Sequence, residues 1–341
     1  MKRKKLLYVG NALSHKGITV TTIDTLSTLL RSEGYDVVVT SNKRNKALRL
    51  LDMLWSVFQF RNRVDAVLID TYSTTNYFYA VNVAQLCRTF HIPYFPILHG
   101  GNLPERLAKS TRSAQKLFGG ARMNIAPSKY LYHAFVKAGF SNITHIPNTI
   151  EIDLYPFKER SIVAPKLLWV RSFAHIYNPK MALEVLEKLL KDFPEATLCM
   201  VGPEKDESYA ECLAFAKAKK LPVTFTGKLS KKEWITLSAE CDIFLNTTNF
   251  DNTPVSVIEA MALGLPIIST EVGGIPYLLE NDSTAVLIPK GDVNACVAGI
   301  ALMITQPEFA HRISLRARTV AEGFDWQTIK MKWNELLSFK I

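Results

Sequence analysis

Two carboxylates flank seven residues in the stretch NFDNTPVSVIEAMALGLPIISTEVGG: Asp251 and Glu259. The apolar run CDIFLNTT before them predicts a strand ending at Asn249. Thr253 suits an N-cap and Pro254 the first helical position, so VSVIEAMAL predicts a helix. Gly264 suits its C′ position, Pro266 follows, and LPIIST is the next strand. The free N–H groups and the dipole at that helix start favour an anion such as phosphate. Asp251 lies just outside the helix and Glu259 about one and a half turns in, roughly 9 Å along the axis. Carboxylates so spaced can hold two parts of one extended ligand, for example a sugar and a ribose flanking a diphosphate. A second candidate is His99 in PILHGGNLP, at a predicted strand end before Gly100 and Gly101. An imidazole there can donate to a phosphate or hydroxyl near neutral pH.

Strands are needed to position these groups, and the chain has them. KLLYVG, YDVVVTS, DAVLID, PYFPILHG, MNIAPS and ITHIPNT punctuate the first half; KLLWVR, ATLCMVG, VTFTG, CDIFLNTT, LPIIST and AVLIP the second. Each is apolar at consecutive positions, the pattern of strands buried on both faces in a parallel sheet covered by helices. Stretches of helical period such as NPKMALEVLEKLLKDFP lie between. The expectation is an α/β protein of two doubly wound, Rossmann-like domains facing across a cleft lined by strand carboxyl ends. The joint falls near Asn148–Lys166, where Pro147, Pro156 and Pro165 punctuate a mostly polar stretch.

The 341 residues, 48% hydrophobic, are ample for two cores. No apolar run reaches the length of a transmembrane span, and MKRKKLLYVG is better read as a first strand than as a signal peptide. Cys87, Cys199, Cys212, Cys241 and Cys296 show no metal or disulfide spacing and read as core thiols of a reducing cytosol. Residues 1–150 hold 20 Lys and Arg against 7 Asp and Glu, a balance of +13, whereas 151–341 hold 21 against 24, a balance of −3. The first half is therefore expected to face a polyanion: a membrane surface, nucleic acid or an anionic substrate. KRNKALRLLDMLWSVFQFRNR, residues 43–63, has basic ends around an apolar middle. It suits a helix resting on an anionic bilayer, and more readily an ordinary helix packing its apolar face on the sheet. No zinc-finger or RNP spacing points to nucleic acid, and GNALSHKG does not give the GxGxxG of a dinucleotide-binding turn.

Taken together, D-NTPVSVI-E, AMALGLP, IIST and EVGG resemble the C-terminal signature of retaining GT-B glycosyltransferases of family 4, glycosyl transferases group 1. The resemblance implies that Asp251 contacts a donor sugar and Glu259 the nucleotide ribose. Asn252, Thr253, Pro254 and Val255 lie along the donor between them. Two departures stand out: Asp251 is one methylene shorter than the usual Glu, and Pro254, which offers no N–H, replaces a common Gly. LLWVR resembles the strand opening the nucleotide-binding domain, so Arg171 matches an arginine that neutralises the donor diphosphate. Tyr177 stands where a Lys is usual, with Lys180 nearby as a substitute. VTFTGKLSKKEW resembles a segment whose backbone contacts the base around Gly227 and Lys228, and Gly17 matches a glycine loop near the donor phosphates. His99 is implied to contact the donor sugar.

The resemblance implies domains at 1–160 and 161–322, with 323–341 a C-terminal helix crossing back to the first. The implied activity is transfer of a hexose-type sugar from a nucleotide diphosphate sugar, with retention, to a glycan or lipid-linked acceptor in bacterial surface polysaccharide synthesis. Catalytic roles fall to His99, Asp251 and Arg171. With no DxD in the chain, no metal and no cofactor beyond the donor substrate are expected. The expected location is cytoplasmic, and peripheral on the cytoplasmic face of the inner membrane if the basic half meets lipid. A sugar-nucleotide epimerase of the same fold and a non-catalytic sugar-nucleotide-binding scaffold at a membrane stay open as alternatives.

Overall fold

The apolar runs do become parallel strands. The structure, a computed structural model, describes residues 3–12, 21–74 and 76–338. Its first sheet holds β1 (Lys5–Val9), β2 (Asp36–Thr40), β3 (Ala66–Thr71), β4 (Tyr94–Leu98), β5 (Asn124–Ala126) and β6 (Ile143–His145), in the order β2-β1-β3-β4-β5-β6. Its second holds β7 (Lys166–Val170), β8 (Thr197–Val201), β9 (Val223–Gly227), β10 (Ile243–Asn246), β11 (Ile267–Thr270) and β12 (Val286–Ile288), in the order β12-β11-β10-β7-β8-β9. Every pairing is parallel. The direction of winding reverses between β1 and β3 in one sheet and between β7 and β10 in the other. Such a reversal opens a crevice beyond the strand carboxyl ends, where open α/β sheets bind ligands.

The chain divides into two units: Met1–Asn148 with Trp326–Ile341, and Thr149–Asp325. Each has one core on either face of its sheet. In the first unit the helix Trp326–Leu337 buries Trp326, Ile329, Trp333 and Leu337 in a cluster with Leu6, Tyr8, Ile23, Phe95 and Ile125. Its backbone and polar groups are tied down too: Lys4 Nζ donates to the Leu337 carbonyl at 2.8 Å, and Tyr35 to Asn334 at 3.0 Å.

The sequence reading changes domain at 160, whereas contacts change unit after Asn148. Residues 149–160 are bound into the second unit by the backbone of Ile150, which pairs with Phe324 and Asp325, and by Arg160. The buried Arg160 guanidinium donates to the carbonyls of Ser238, Cys241, Leu263 and Gly264. It thereby caps the C-terminal ends of two helices, a fitting use of five fixed donors beside orphan carbonyls.

The helix Lys46–Phe60 buries one face and leaves another exposed. Arg49, Met53 and Val57 face inward, while Leu48, Leu51, Trp55 and Phe58 form an exposed stripe. Among the described residues no single helix is long and apolar enough to cross a membrane. Cys87, Cys212 and Cys241 are buried, and burial pushes each thiol up to about 12, so they behave as apolar packing groups.

Candidate active site

In the second unit the carboxylates of the opening motif sit on either side of the helix start. The helix runs Val255–Ala262, with Pro254 rather than Thr253 at the N-cap (φ −70°, ψ 116°) and no side-chain cap. The expectation of a Thr253 cap is corrected by one residue. Proline cannot donate an N–H but adopts extended backbone readily, so it closes the loop and leaves the first helical N–H groups uncapped by any side chain. At the other end Gly264 takes φ +73°, and a Cβ there would run into the Phe157 ring.

Asp251 is held by the glycine pair of EVGG. The Gly274 N–H donates to the Asp251 carbonyl at 2.8 Å. A Cβ on Gly273 or Gly274 would collide with the carbonyls of Asp251 or Asn252, which is why two glycines stand there. The Asp251 carboxylate pairs with Arg171 Nη2, and Asp251 Oδ1 accepts from the Asn252 N–H at 2.8 Å. Arg171 directly follows β7. Its guanidinium lies 4.3 Å from the centre of the Tyr177 ring, and Nε finds no partner among the described residues. Burial pulls this guanidinium below its ordinary value, and Tyr177 counteracts it. Tyr177, noted from sequence only as a replaced lysine, is thus the aromatic face that orients the arginine. Gly202 allows this approach, because a Cβ there would strike the Arg171 carbonyl.

Glu259 is buried, 6% exposed, one turn inside the same helix. Its Oε1 accepts from Tyr155 at 2.7 Å and from Lys231 Nζ at 2.6 Å. Burial, then the neighbouring carboxylate, pushes the Tyr155 phenol well above its ordinary value, so it stays a donor. Sequence reasoning missed both partners. Lys231 had a legible signal, since Ser230 and Glu233 form a capping box that places it at the first helical position. Ser256 was also missed: its buried Oγ, in the first turn of the helix, finds no partner among the described residues.

Not every predicted residue joins this group. Lys180 is exposed, reaching Glu184 at 3.9 Å along its own helix and lying over Phe215. Its place in the first turn of Pro179–Leu189 directs it there rather than to Arg171. Gly227 ends β9 at φ +69°, its carbonyl already accepting from Gly202, and Lys228 is exposed. Asn252, Thr253 and Val255 are half-buried, and Pro254 is buried. Gly17 lies outside the described residues.

In the first unit, His99 follows β4. Its Nε2 lies 2.8 Å from Asp70 Oδ1, and its ring lies 5.2 Å from that of Tyr72. Asp70 also accepts from Tyr8 at 2.9 Å. Among the described residues, one group able to offer three metal ligands, His175, Asp206 and Glu207, lies on the loops that follow β7 and β8. Its Asp206 already accepts from the backbone of His175 and Ser208.

Residues 157–320, just under half of the chain and all within the second unit, match the family model of Glycosyl transferases group 1. Sulfoquinovosyl transferase SQD2 of Arabidopsis thaliana is 30% identical over 154 residues, 44% of this chain and 29% of that protein. Glycogen synthase of Mycobacterium tuberculosis is 26% identical over 194 residues, 56% of this chain and 47% of that one. The chain thus matches half or less of the length of these relatives. The crystal structure of Anabaena HepE in complex with UDP and glucose superposes with a TM-score of 0.80 at 20% identity, covering 99% of this chain and all of that one. The fold is GT-B, as the resemblance implied, and its two Rossmann-like domains are the architecture the strand pattern predicted.

Proposed function

We propose that this chain is a retaining glycosyltransferase moving a hexose-type sugar from a nucleotide diphosphate sugar to a glycan or lipid-linked acceptor. The observation that carries it is the group around one helix start. Arg171 on its Tyr177 shelf, the uncapped N–H groups of the helix at Val255, and Glu259 braced by Lys231 and Tyr155 lie within a group 1 domain. HepE has been solved with UDP and with UDP-glucose, which favours a uridine or similar nucleotide donor here. Glu259 takes the ribose hydroxyls, Arg171 and the helix start the diphosphate, Asp251 the sugar, and His99 of the first unit serves the transferred sugar.

In the reaction the acceptor oxygen bonds to the anomeric carbon as the bond from that carbon to the diphosphate breaks. The acceptor proton passes to the leaving diphosphate. Stabilising charge on that leaving group is the main electrostatic task, and one fixed guanidinium plus helix N–H groups perform it without a divalent metal. Activity in excess EDTA is expected to equal that in its absence.

Calorimetric binding of UDP, GDP, ADP and their hexose conjugates tests the reading. One nucleotide should bind the wild type, and Glu259→Ala should weaken it about 10- to 100-fold, the loss of a charge-assisted hydrogen-bond pair. If none binds, the scaffold alternative takes over. Isomerisation of the free donor without acceptor would point to the epimerase.

The reading includes a place on the cytoplasmic face of an anionic membrane. The stripe Leu48, Leu51, Trp55 and Phe58 is exposed, and Lys43, Arg44, Lys46, Arg61 and Arg63 flank or interrupt it in the sequence. Apolar residues flanked by cations match an anionic interface rather than bulk water. Sedimentation with phosphatidylglycerol vesicles should fall at least tenfold in Leu51→Ser/Trp55→Ser, and equal binding to neutral vesicles would refute the electrostatic part.

A further inference from the structure

The first sheet reverses its winding between β1 and β3, and the groups at that point form a built arrangement. Asp70, near the end of β3, has a side chain only 1% exposed. Its Oδ1 accepts from the buried Tyr8 phenol of β1 and lies 2.8 Å from His99 Nε2 beyond β4. Its Oδ2 finds no hydrogen-bond partner among the described residues. Gly10, just past β1, makes room for that oxygen, because a Cβ there would overlap it. Three adjacent strand ends therefore shape themselves around one carboxylate. Fold stability alone does not account for it. Asp70 continues the apolar strand Ala66–Ile69, and burying a carboxylate costs several kcal/mol where an apolar side chain would pack freely.

We propose that Asp70 is a positioning residue for His99. By accepting the Nε2 proton it fixes the imidazole tautomer and leaves Nδ1 as the nitrogen that can meet a substrate, the division of labour by which a buried aspartate orients a catalytic histidine. The neighbouring Tyr72 ring, tilted by 32° to the imidazole, restrains its rotation, and Tyr8 of β1 holds the carboxylate from the other side. The inference rests on the reading that His99 serves the transferred sugar.

Asp70→Asn tests it in the full chain, because its amide can turn an N–H toward Nε2 and move the ring proton to Nδ1. The wild-type His99 ring, observed by ¹⁵N NMR where it is neutral, should carry its proton on Nε2, and the variant ring on Nδ1. Nucleotide affinity should stay within twofold, since that site lies in the second unit. The kcat should fall about 10²- to 10⁴-fold. In a His99→Gln background the same change should cost less than threefold, since a group acting through His99 has nothing left to act on. A wild-type ring protonated on Nδ1 overturns the inference whether or not the variant folds. So does a variant turning over within threefold of wild type, or one costing as much without His99 as with it. Absence of any nucleotide binding by the wild type would sink the proposed function and this inference with it. Nucleotide binding with intact turnover in Asp70→Asn would sink this inference alone.

Discussion

Arg171 is the residue on which the proposed chemistry leans hardest, and its surroundings make it sensitive to shape as well as charge. It lies against the Tyr177 ring and pairs with Asp251, so Arg171→Lys keeps the charge but forfeits the planar fork and the stacking. Turnover should drop on the order of 10²-fold, measured as kcat with the preferred donor, while the melting temperature moves little. Tyr177→Leu should cost about 1 kcal/mol, roughly fivefold in donor affinity by calorimetry. An unchanged affinity would leave Tyr177 as packing only. At this scale the sequence points to residues by spacing within one segment, not by their partners. Asp251 and Glu259 advertise themselves by their spacing around a helix start. Tyr155 meets Glu259 across 104 positions and Tyr8 meets Asp70 across 62, and no local pattern encodes contacts that only the closed sheets create. Lys180 was misjudged for the opposite reason: closeness in sequence to Arg171 says nothing about which way a helical side chain points.

The elements themselves were the most legible level, because a strand buried on both faces must be apolar throughout and a helix must announce its ends. Helix termini were the weak point. Proline fits both the N-cap and the first turn, so Thr253 and Pro254 could not be ranked by type alone. The C-terminal end was unambiguous, and Gly264→Ala should destabilise by at least about 2 kcal/mol through its φ of +73° and the blocked space at Phe157. Thermal melting should show it as a fall of several degrees.

A second element has a pH signature. His145 in β6 is lowered to about 4 by burial and by Lys332, Lys129 and His133, with Arg122 and Glu335 lining the same cavity. Between its ordinary 6.5 and about 4, the unfolded chain takes up a proton that the folded chain refuses. Stability is therefore lost as pH falls through that window and is unaffected above it. Allowing for partial exposure, the loss at pH 5 is about 1–2 kcal/mol. His145→Asn should flatten the melting temperature between pH 7 and 5, whereas an equal fall in both proteins would exclude His145 as its cause.

Across the whole molecule, the two units differ in how the chain builds them. The second is continuous from Thr149 to Asp325, while the first needs the helix Trp326–Leu337 to cover a face that includes Leu6, Phe95 and Ile125. Deleting residues 326–341 should remove the calorimetric transition of the first unit and leave one for the second that still responds to nucleotide. Loss of both would mean the units do not fold independently. The same discontinuity has a meaning during synthesis. The first unit emerges from the ribosome early, but its last helix follows the entire second unit, Thr149–Asp325. At ~5–20 residues per second that delay is on the order of 10–40 s. For that interval the second unit can close while the older one waits with an uncovered apolar face. The nascent chain is then most open to chaperones, and most exposed to aggregation, in the half that was made first.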